Sequence, residues 1–318
     1  MLINMMNKSK VYIVLPVYNW EKYLLDQLIS IYEQSFKNWN LFIVNDWSKD
    51  NSLEIIENFI STYNLQDKVF LVSKENWWVN SAMTAWFSEI KKILKEHSNS
   101  YISYCDADDI WMRNKLEEQV KFVEETNCDL SYHDLIEIDE FNQIKNLSHE
   151  NRIHTLLNNI YDQSFFEFCT WQHVTSTSIM FKSELLYDIY PFPITFVQDA
   201  WTMLVVSYLN KKRLFLDKRL WYYRVHSNSL SSNKKSRKTI VYWYKTSFIE
   251  LKKRFNKPWI NKMIELYTKR EEREHSKYSQ IHIILLIFKY NSKLAWFISI
   301  KPFKYIYYKF INLFKKHL

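Results

Sequence analysis

A chain of 318 residues without a single glycine must build every tight turn from residues that carry a Cβ. Such residues reach left-handed backbone conformations only at a steric cost that glycine avoids. At the usual share of ~7%, about 22 glycines are expected. Tryptophan instead stands at 13, and several tryptophans fall where turn chemistry asks for glycine: Asn19-Trp20, Asp46-Trp47-Ser48 and Asn76-Trp77-Trp78. A stop-type codon reassigned to glycine, but translated as tryptophan, produces this placement, so many of these positions are expected to be glycine in the living protein. An AT-biased genome would explain scarce glycine but not where the tryptophans fall. The gene's codons at Trp47 and Trp78, read in the host's code, decide between the two.

The hydrophobic pattern sets the fold class. Lys10 to Pro16, Leu41 to Val44, Val69 to Val72 and Tyr101 to Cys105 are short apolar, β-branched or aromatic runs that read as strands. Helical spacing follows the first at Leu24, Leu25, Leu28, Ile31 and Tyr32, in a helix that opens at Tyr18-Asn19. Asn51 with Glu54 resembles a capping pair for a helix through Tyr63. A longer helix from Asn80 or Ser81 to about Glu96 follows the third strand, and Arg113 to Glu125 follows the fourth. Four strand–helix alternations predict a parallel sheet wrapped by helices, a nucleotide-binding architecture. Beyond Asp129 the alternation loosens. Strands are expected over Cys128 to Leu135, Val174 to Phe181, Arg213 to Leu216 and Leu220 to Val225, with a helix from Gln198 to Leu209.

Residues 1–232 therefore form an α/β domain, and residues 233–318 a helical extension rich in Lys, Tyr, Phe and Trp. Two readings of that extension stay open: a cap on the catalytic domain, or an interfacial segment held by apolar burial and by lysine attraction to anionic lipid. Lys+Arg 43 against Asp+Glu 35 leaves +8, which suits nucleotide, phospholipid or nucleic-acid partners. No apolar stretch reaches the ~18 uncharged residues that a spanning helix needs, and Met1 to Lys10 lacks the apolar region of a signal peptide. Cys105, Cys128 and Cys169 are odd in number and have no metal-ligand spacing, which fits a reducing compartment.

Chemistry concentrates in Tyr104-Cys105-Asp106-Ala107-Asp108-Asp109-Ile110-Trp111. Three carboxylates at the carboxyl end of a strand repel one another unless a cation sits among them, and ligands of open α/β sheets bind at that end. A hard divalent ion carrying phosphates suits the place, since it takes few carboxylates and shares its remaining positions with phosphate and water.

Together with Leu15-Pro16-Val17-Tyr18-Asn19, Val44-Asn45-Asp46-Trp47-Ser48, Gln198-Asp199-Ala200-Trp201 and Tyr223-Arg224-Val225-His226, this stretch resembles the family-2 glycosyltransferases of GT-A fold, in particular the bacterial rhamnosyltransferase-like branch. The resemblance covers roughly residues 10–230. It implies that Pro16, Tyr18 and Asn19 cradle the base and ribose of a sugar nucleotide. Asp46 would bond the pyrimidine ring, unless it is only a turn-forming Asx residue. Asn80 and Ser81 would close the nucleotide pocket. Asp106 and Asp108 match the DxD motif, with Asp106 on the ribose side and Asp108 on the metal, while Asp109 is expected to be a helix N-cap. His226 would complete the metal site or be structural; an imidazole ligand suits Mn²⁺ better than Mg²⁺. Arg224 would neutralise the leaving diphosphate or brace its loop. Asp199 matches the catalytic base and can also cap its helix. Where Trp20, Trp47, Trp78 and Trp86 stand the family has glycine, whereas Trp39, Trp111 and Trp201 occupy ordinary tryptophan positions.

The function this implies is metal-dependent, inverting transfer of a sugar from a UDP- or dTDP-sugar to a glycan or polyprenol-linked acceptor in cell-surface polysaccharide synthesis. The site of action would be the cytoplasm, peripherally at the inner face of the membrane. The alternative is a catalytically inactive sugar-nucleotide-binding or scaffold protein. A nucleic-acid partner rests only on the charge and the aromatic tail, with no recognition motif behind it, and none is expected.

Overall fold

The structure, a computed structural model, describes residues 9–73, 87, 90, 99–147, 174–193, 197–226, 237–255, 260–261, 264–265 and 268. The chain divides into two compact units, Met1–Asn151 with Ile160–Lys234, and Arg152–Asn159 with Lys235–Leu318. Of the second unit, the structure describes mainly one helix, Arg237–Phe255.

The first unit is built on a nine-stranded sheet. β1 (Lys10–Val17) pairs in parallel with β2 (Trp39–Asn45) on one side and β4 (Ser100–Tyr104) on the other, and β3 (Val69–Ser73) extends the sheet beyond β2. Val11 to Leu15 are wholly buried. That explains an unbroken apolar run in place of alternation, because helices cover both faces of a parallel sheet. Among the described residues, two whole helices lie between these strands, α1 (Leu24–Tyr32) and α2 (Ser52–Thr62). α1 buries Leu24, Leu28 and Ile31, a stripe at i, i+4 and i+7.

One expected helix start and one expected cap bond are corrected. α1 begins at Leu24 because Asn19 is left-handed (φ 58) and cannot lie in a right-handed helix. The expected Asn51–Glu54 capping pair does not form. Asn51 instead donates through its N–H and its Nδ2 to Glu21 Oε2, at 3.0 and 2.8 Å.

The second half of the sheet is mixed. Beyond β4 come β8 (Met180–Lys182), β6 (Leu130–Ile138), β9 (Arg213–Arg224) and β5 (Ile110–Trp111), with β7 (Ile144–Asn146) hairpinned onto β6. β8 is antiparallel to both neighbours, whereas β6 and β9 run parallel. α3 (Lys115–Thr126) joins β5 to β6, and the short α4 (Leu186–Ile189) precedes α5 (Gln198–Tyr208).

The strand expected over Val174 to Phe181 is a 3₁₀ turn, Ser176–Ser178, followed by the short β8. Ser178 Oγ bonds the Thr175 carbonyl at 2.7 Å while the Ser176 and Thr177 hydroxyls reach Asp106, and the local bond competes with a strand ladder. The two strands expected between Arg213 and Val225 are one, β9. Exposed Asp217, Lys218 and Arg219 lie where its register against β6 shifts, a bulge that reads in sequence as a break. Cys105 and Cys128 are buried free thiols.

Candidate active site

The carboxyl ends of β1 and β2 meet in two interlocked loops. Asn19 donates its N–H to Ser48 Oγ at 3.0 Å and accepts the Lys49 N–H on its Oδ1 at 2.7 Å. Trp20 N–H donates to Ser52 Oγ at 2.9 Å, and Glu21 N–H to Asp50 Oδ2 at 2.9 Å. Asp46 N–H donates to the Val17 carbonyl at 2.9 Å, and Pro16 lies opposite Val44 in the ladder. Pro16, Tyr18, Asn19 and Asp46 thus share one edge, with Tyr18 exposed. Asn80 and Ser81 lie outside the described residues.

Six described residues take positive φ: Asn19, Asn64, Asn127, Asn142, Asn210 and Trp47, the last at 57°. Asparagine is the residue other than glycine that tolerates this region best. An indole has no such excuse. The argument for glycine on backbone grounds therefore attaches to Trp47, and not to Trp20, which is absent from this set. Trp78 and Trp86 lie outside the described residues. Trp39, Trp111 and Trp201 are buried.

One strand away, Cys105 N–H closes β4 onto the Val14 carbonyl at 3.0 Å, and the acidic turn follows. Both oxygens of Asp106 are engaged, Oδ1 by Ser176 Oγ at 3.2 Å and Oδ2 by Thr177 Oγ1 at 3.0 Å. Asp108 Oδ2 lies 3.0 Å from His226 Nε2. Asp109 is fully buried and is not a helix cap. α3 starts at Lys115 behind Asn114, while Asp109 Oδ1 accepts the Arg224 N–H at 3.0 Å. It ties the acidic turn to the end of β9.

Burial, then the neighbouring Asp108 and Asp199 carboxylates, push Asp106 up to about 7, against the Ser176 and Thr177 hydrogen bonds. Burial and the Asp108 and Asp106 charges raise Asp109 as well. An accumulation of negative charge that raises its own members' pKa is the environment a divalent cation relieves. Asp108 and His226 supply two converging donors, and their separation suits a hydrogen bond or shared coordination equally. Among the described residues no three His, Cys, Asp or Glu side chains form a metal cage, so an ion here would complete its shell with phosphate and water, as hard divalent ions do.

Arg224 is buried. Its Nε donates to the Asp108 carbonyl at 2.8 Å and its Nη1 to Asn142 Oδ1. Its Nη2 lies 3.5 Å from Asp26 Oδ2, and the guanidinium stands 4.5 Å from the Tyr23 ring centre. These contacts tie Arg224 to the acidic turn. Tyr23 also packs on the His226 ring at 5.0 Å, and Trp20 meets that ring edge-on at 5.5 Å.

Asp199 sits in the first turn of α5. The N-cap is Val197, without a side-chain bond, and Asp199 Oδ1 accepts the Ala200 N–H at 2.5 Å. The start of α5 is anchored beside the acidic turn. Tyr104 OH meets Thr202 Oγ1 at 2.8 Å, and Gln198 Nε2 reaches Ser176 Oγ at 3.4 Å. Nothing in the motifs pointed to Tyr23, Ser176 or Thr177, and Gln198 stood in its motif without an assigned role. The run Thr175-Ser176-Thr177-Ser178 is a local turn signature that strand propensity masks.

Residues 12–190 match the family described as Glycosyl transferase family 2. The chain is 25% identical over 239 residues to Glycosyltransferase GlyA of Streptococcus pneumoniae, covering 71% of this chain and 32% of that protein. It spans less than half the length of the first curated relatives that it matches. Among solved structures, Staphylococcus aureus TarS 1–349 in complex with UDP-GlcNAc superposes with a TM-score of 0.52 at 18% identity, over 84% of this chain and 74% of that one. Mannosyltransferase PcManGT of Pyrobaculum calidifontis, in complex with GDP-Man and Mn²⁺, gives 0.53 at 16% identity, over 93% and 82%. The α/β sheet is that of the GT-A fold.

Proposed function

The chain belongs to glycosyl transferase family 2, and we propose that it moves a sugar, with inversion, from a UDP- or dTDP-activated donor to a glycan or polyprenol-linked acceptor in cell-surface polysaccharide synthesis. The observation that carries this reading is the pairing of Asp108 with His226, drawn from two ends of the domain, next to Asp106, whose Ser176 partner bonds Gln198 at the start of α5, the helix that carries Asp199. The names of two structural neighbours, bound to UDP-GlcNAc and to GDP-Man with Mn²⁺, support a sugar nucleotide and a divalent ion as ligands.

In this reading Pro16, Tyr18, Asn19 and Asp46 hold the base and ribose, with Asn80 and Ser81 closing the pocket and Asp106 taking the ribose side. Asp108 and His226 hold Mn²⁺ or Mg²⁺. When bound, the ion offsets charge growing on the departing nucleoside diphosphate. Asp199 accepts the proton of the acceptor hydroxyl as its oxygen attacks the anomeric carbon. Arg224 acts from behind, fixing the Asp108 carbonyl so that the carboxylate faces His226.

The acceptor is placed at the cytoplasmic membrane surface because the basic, aromatic residues 233–318 suit an anionic lipid interface. Among the described residues no helix is long and apolar enough to cross a membrane. A second reading, a nucleotide-binding protein without turnover, is favoured by one observation: an indole at positive φ, Trp47, follows Asp46 in the loop after β2.

Calorimetric titration of UDP and dTDP, with and without Mn²⁺, tests the reading. Mn²⁺-dependent binding of one of them supports it, and absence of binding by both the chain as written and a Trp47→Gly variant overturns it. Binding without sugar transfer to any lipid-linked acceptor favours the second reading.

A further inference from the structure

We propose that Thr177 is a positioning residue: its hydroxyl holds the Asp106 carboxylate against the repulsion of its neighbours and aims it out of the end of β4. This rests on the donor-binding reading above. Thr177 is wholly buried in the 3₁₀ turn between the acidic loop and α5. Its Oγ1 accepts the Asp106 N–H at 3.1 Å and lies 3.0 Å from Asp106 Oδ2 and 3.4 Å from Asp109 Oδ2. A hydroxyl has one proton and two lone pairs. The Asp106 amide takes a lone pair, and the proton goes to the closer oxygen, on Asp106. The result is a closed ring through the backbone and side chain of one residue, which fixes the Asp106 side-chain rotamer.

Ser176 Oγ bonds the other oxygen at 3.2 Å. Each carboxylate oxygen can accept twice, so both keep an acceptor position for a ligand hydroxyl. The constraint matters because Asp108 and Asp199 both push on Asp106 electrostatically. A carboxylate under that load turns away unless something holds it. Gln198 Nε2 on Ser176 Oγ extends the same strut to the helix that carries Asp199, so one turn fixes the separation of the donor-side and acceptor-side acids.

The test compares the full chain with Thr177→Val, Thr177→Ser, Asp106→Ala and the Thr177→Val/Asp106→Ala pair, using UDP with Mn²⁺ as the calorimetric probe. Thr177→Val is expected to weaken binding about tenfold, as loss of one well-placed hydrogen bond does, and Thr177→Ser to restore it to within about twofold. In the Asp106→Ala background Thr177→Val is expected to change nothing, because the hydroxyl acts through a side chain already removed. Equal loss in Val and Ser variants, no loss in the Val variant, or an additive loss in the pair overturns the proposal. If neither the unaltered chain nor its Trp47→Gly variant binds UDP or dTDP with any metal, the donor reading fails. Crystal structures of the unaltered chain and Thr177→Val then decide the proposal on geometry: a rotated Asp106 carboxylate sustains it, and an unmoved one overturns it.

Discussion

His226 Nε2 lies 3.0 Å from Asp108 Oδ2 although 118 positions separate them, and both side chains are largely buried. Two other contacts hold the pair in register. Asp109 accepts the Arg224 N–H, and the Arg224 guanidinium returns to the Asp108 carbonyl. The end of β9 is thus laced to the turn after β4 by two further bonds.

If this pair holds the ion, removing either member removes a ligand while leaving the lacing in place. His226→Ala and Asp108→Ala are each expected to weaken Mn²⁺-dependent UDP binding at least about tenfold and to leave metal-free binding unchanged. Calorimetry at several Mn²⁺ concentrations checks this. An unchanged Mn²⁺ requirement in His226→Ala would assign the imidazole a packing role on Tyr23 and Trp20.

Asp199→Asn separates chemistry from binding. The amide keeps the size of the carboxylate and its carbonyl can still accept the Ala200 N–H, so α5 should start as before. Turnover is expected to fall about 10²- to 10⁴-fold, the usual reach of a general base, with the Mn²⁺·UDP affinity unchanged. A fall of less than about threefold would remove Asp199 from the reaction.

Trp47→Gly addresses the backbone. A left-handed residue with a Cβ costs about 1–2 kcal/mol, a cost that glycine avoids, so the variant is expected to be more stable by about 1 kcal/mol and to bind UDP more tightly. Thermal melting and calorimetry measure both. Lys49 Nζ sits 4.0 Å from the Trp47 ring centre; a less stable glycine variant would mean that this contact outweighs the backbone strain.

The parallel half of the sheet was legible because its signals are local: buried β-branched runs, and helical spacing at Leu24, Leu28 and Ile31. The acidic turn, Asp199 and the Arg224–His226 segment were legible as motifs, and the fold gathers them. Illegible features were those where side chains override propensity. Thr175 and Thr177 have strand-favouring side chains, yet Ser178 Oγ bonds back to the Thr175 carbonyl and the Ser176 and Thr177 hydroxyls bond Asp106, about 70 positions away, and the segment turns. Three charged residues at Asp217 to Arg219 look like a chain break but bulge from a continuous strand. Asp109 has the composition of a cap, but its partner is the Arg224 N–H, 115 positions away, which no local pattern encodes.

Lys115 gives the fold a pH dependence away from the acidic turn. It opens α3 and is wholly buried. Its Nζ donates to Gln119 Oε1 at 2.7 Å and Ser103 Oγ at 3.4 Å, and it stands 4.1 Å from the Trp111 ring centre. Cys105 and His133 are the titratable groups that act on it or feel its charge. Burial pulls the amine from 10.5 down to about 7. Between those values the unfolded chain keeps a proton that the folded chain has lost, so stability rises with pH across the window. Below about pH 7 both states are protonated and the full cost of a buried charge is felt. Lys115→Met cannot titrate, so wild type should gain on the variant by on the order of 2 kcal/mol between pH 7 and pH 9. Urea unfolding of both proteins at pH 6, 7, 8 and 9 measures the difference, in which the titrations they share cancel. Parallel curves would mean that Lys115 keeps its proton in the folded protein, stabilised by the Trp111 ring and Gln119.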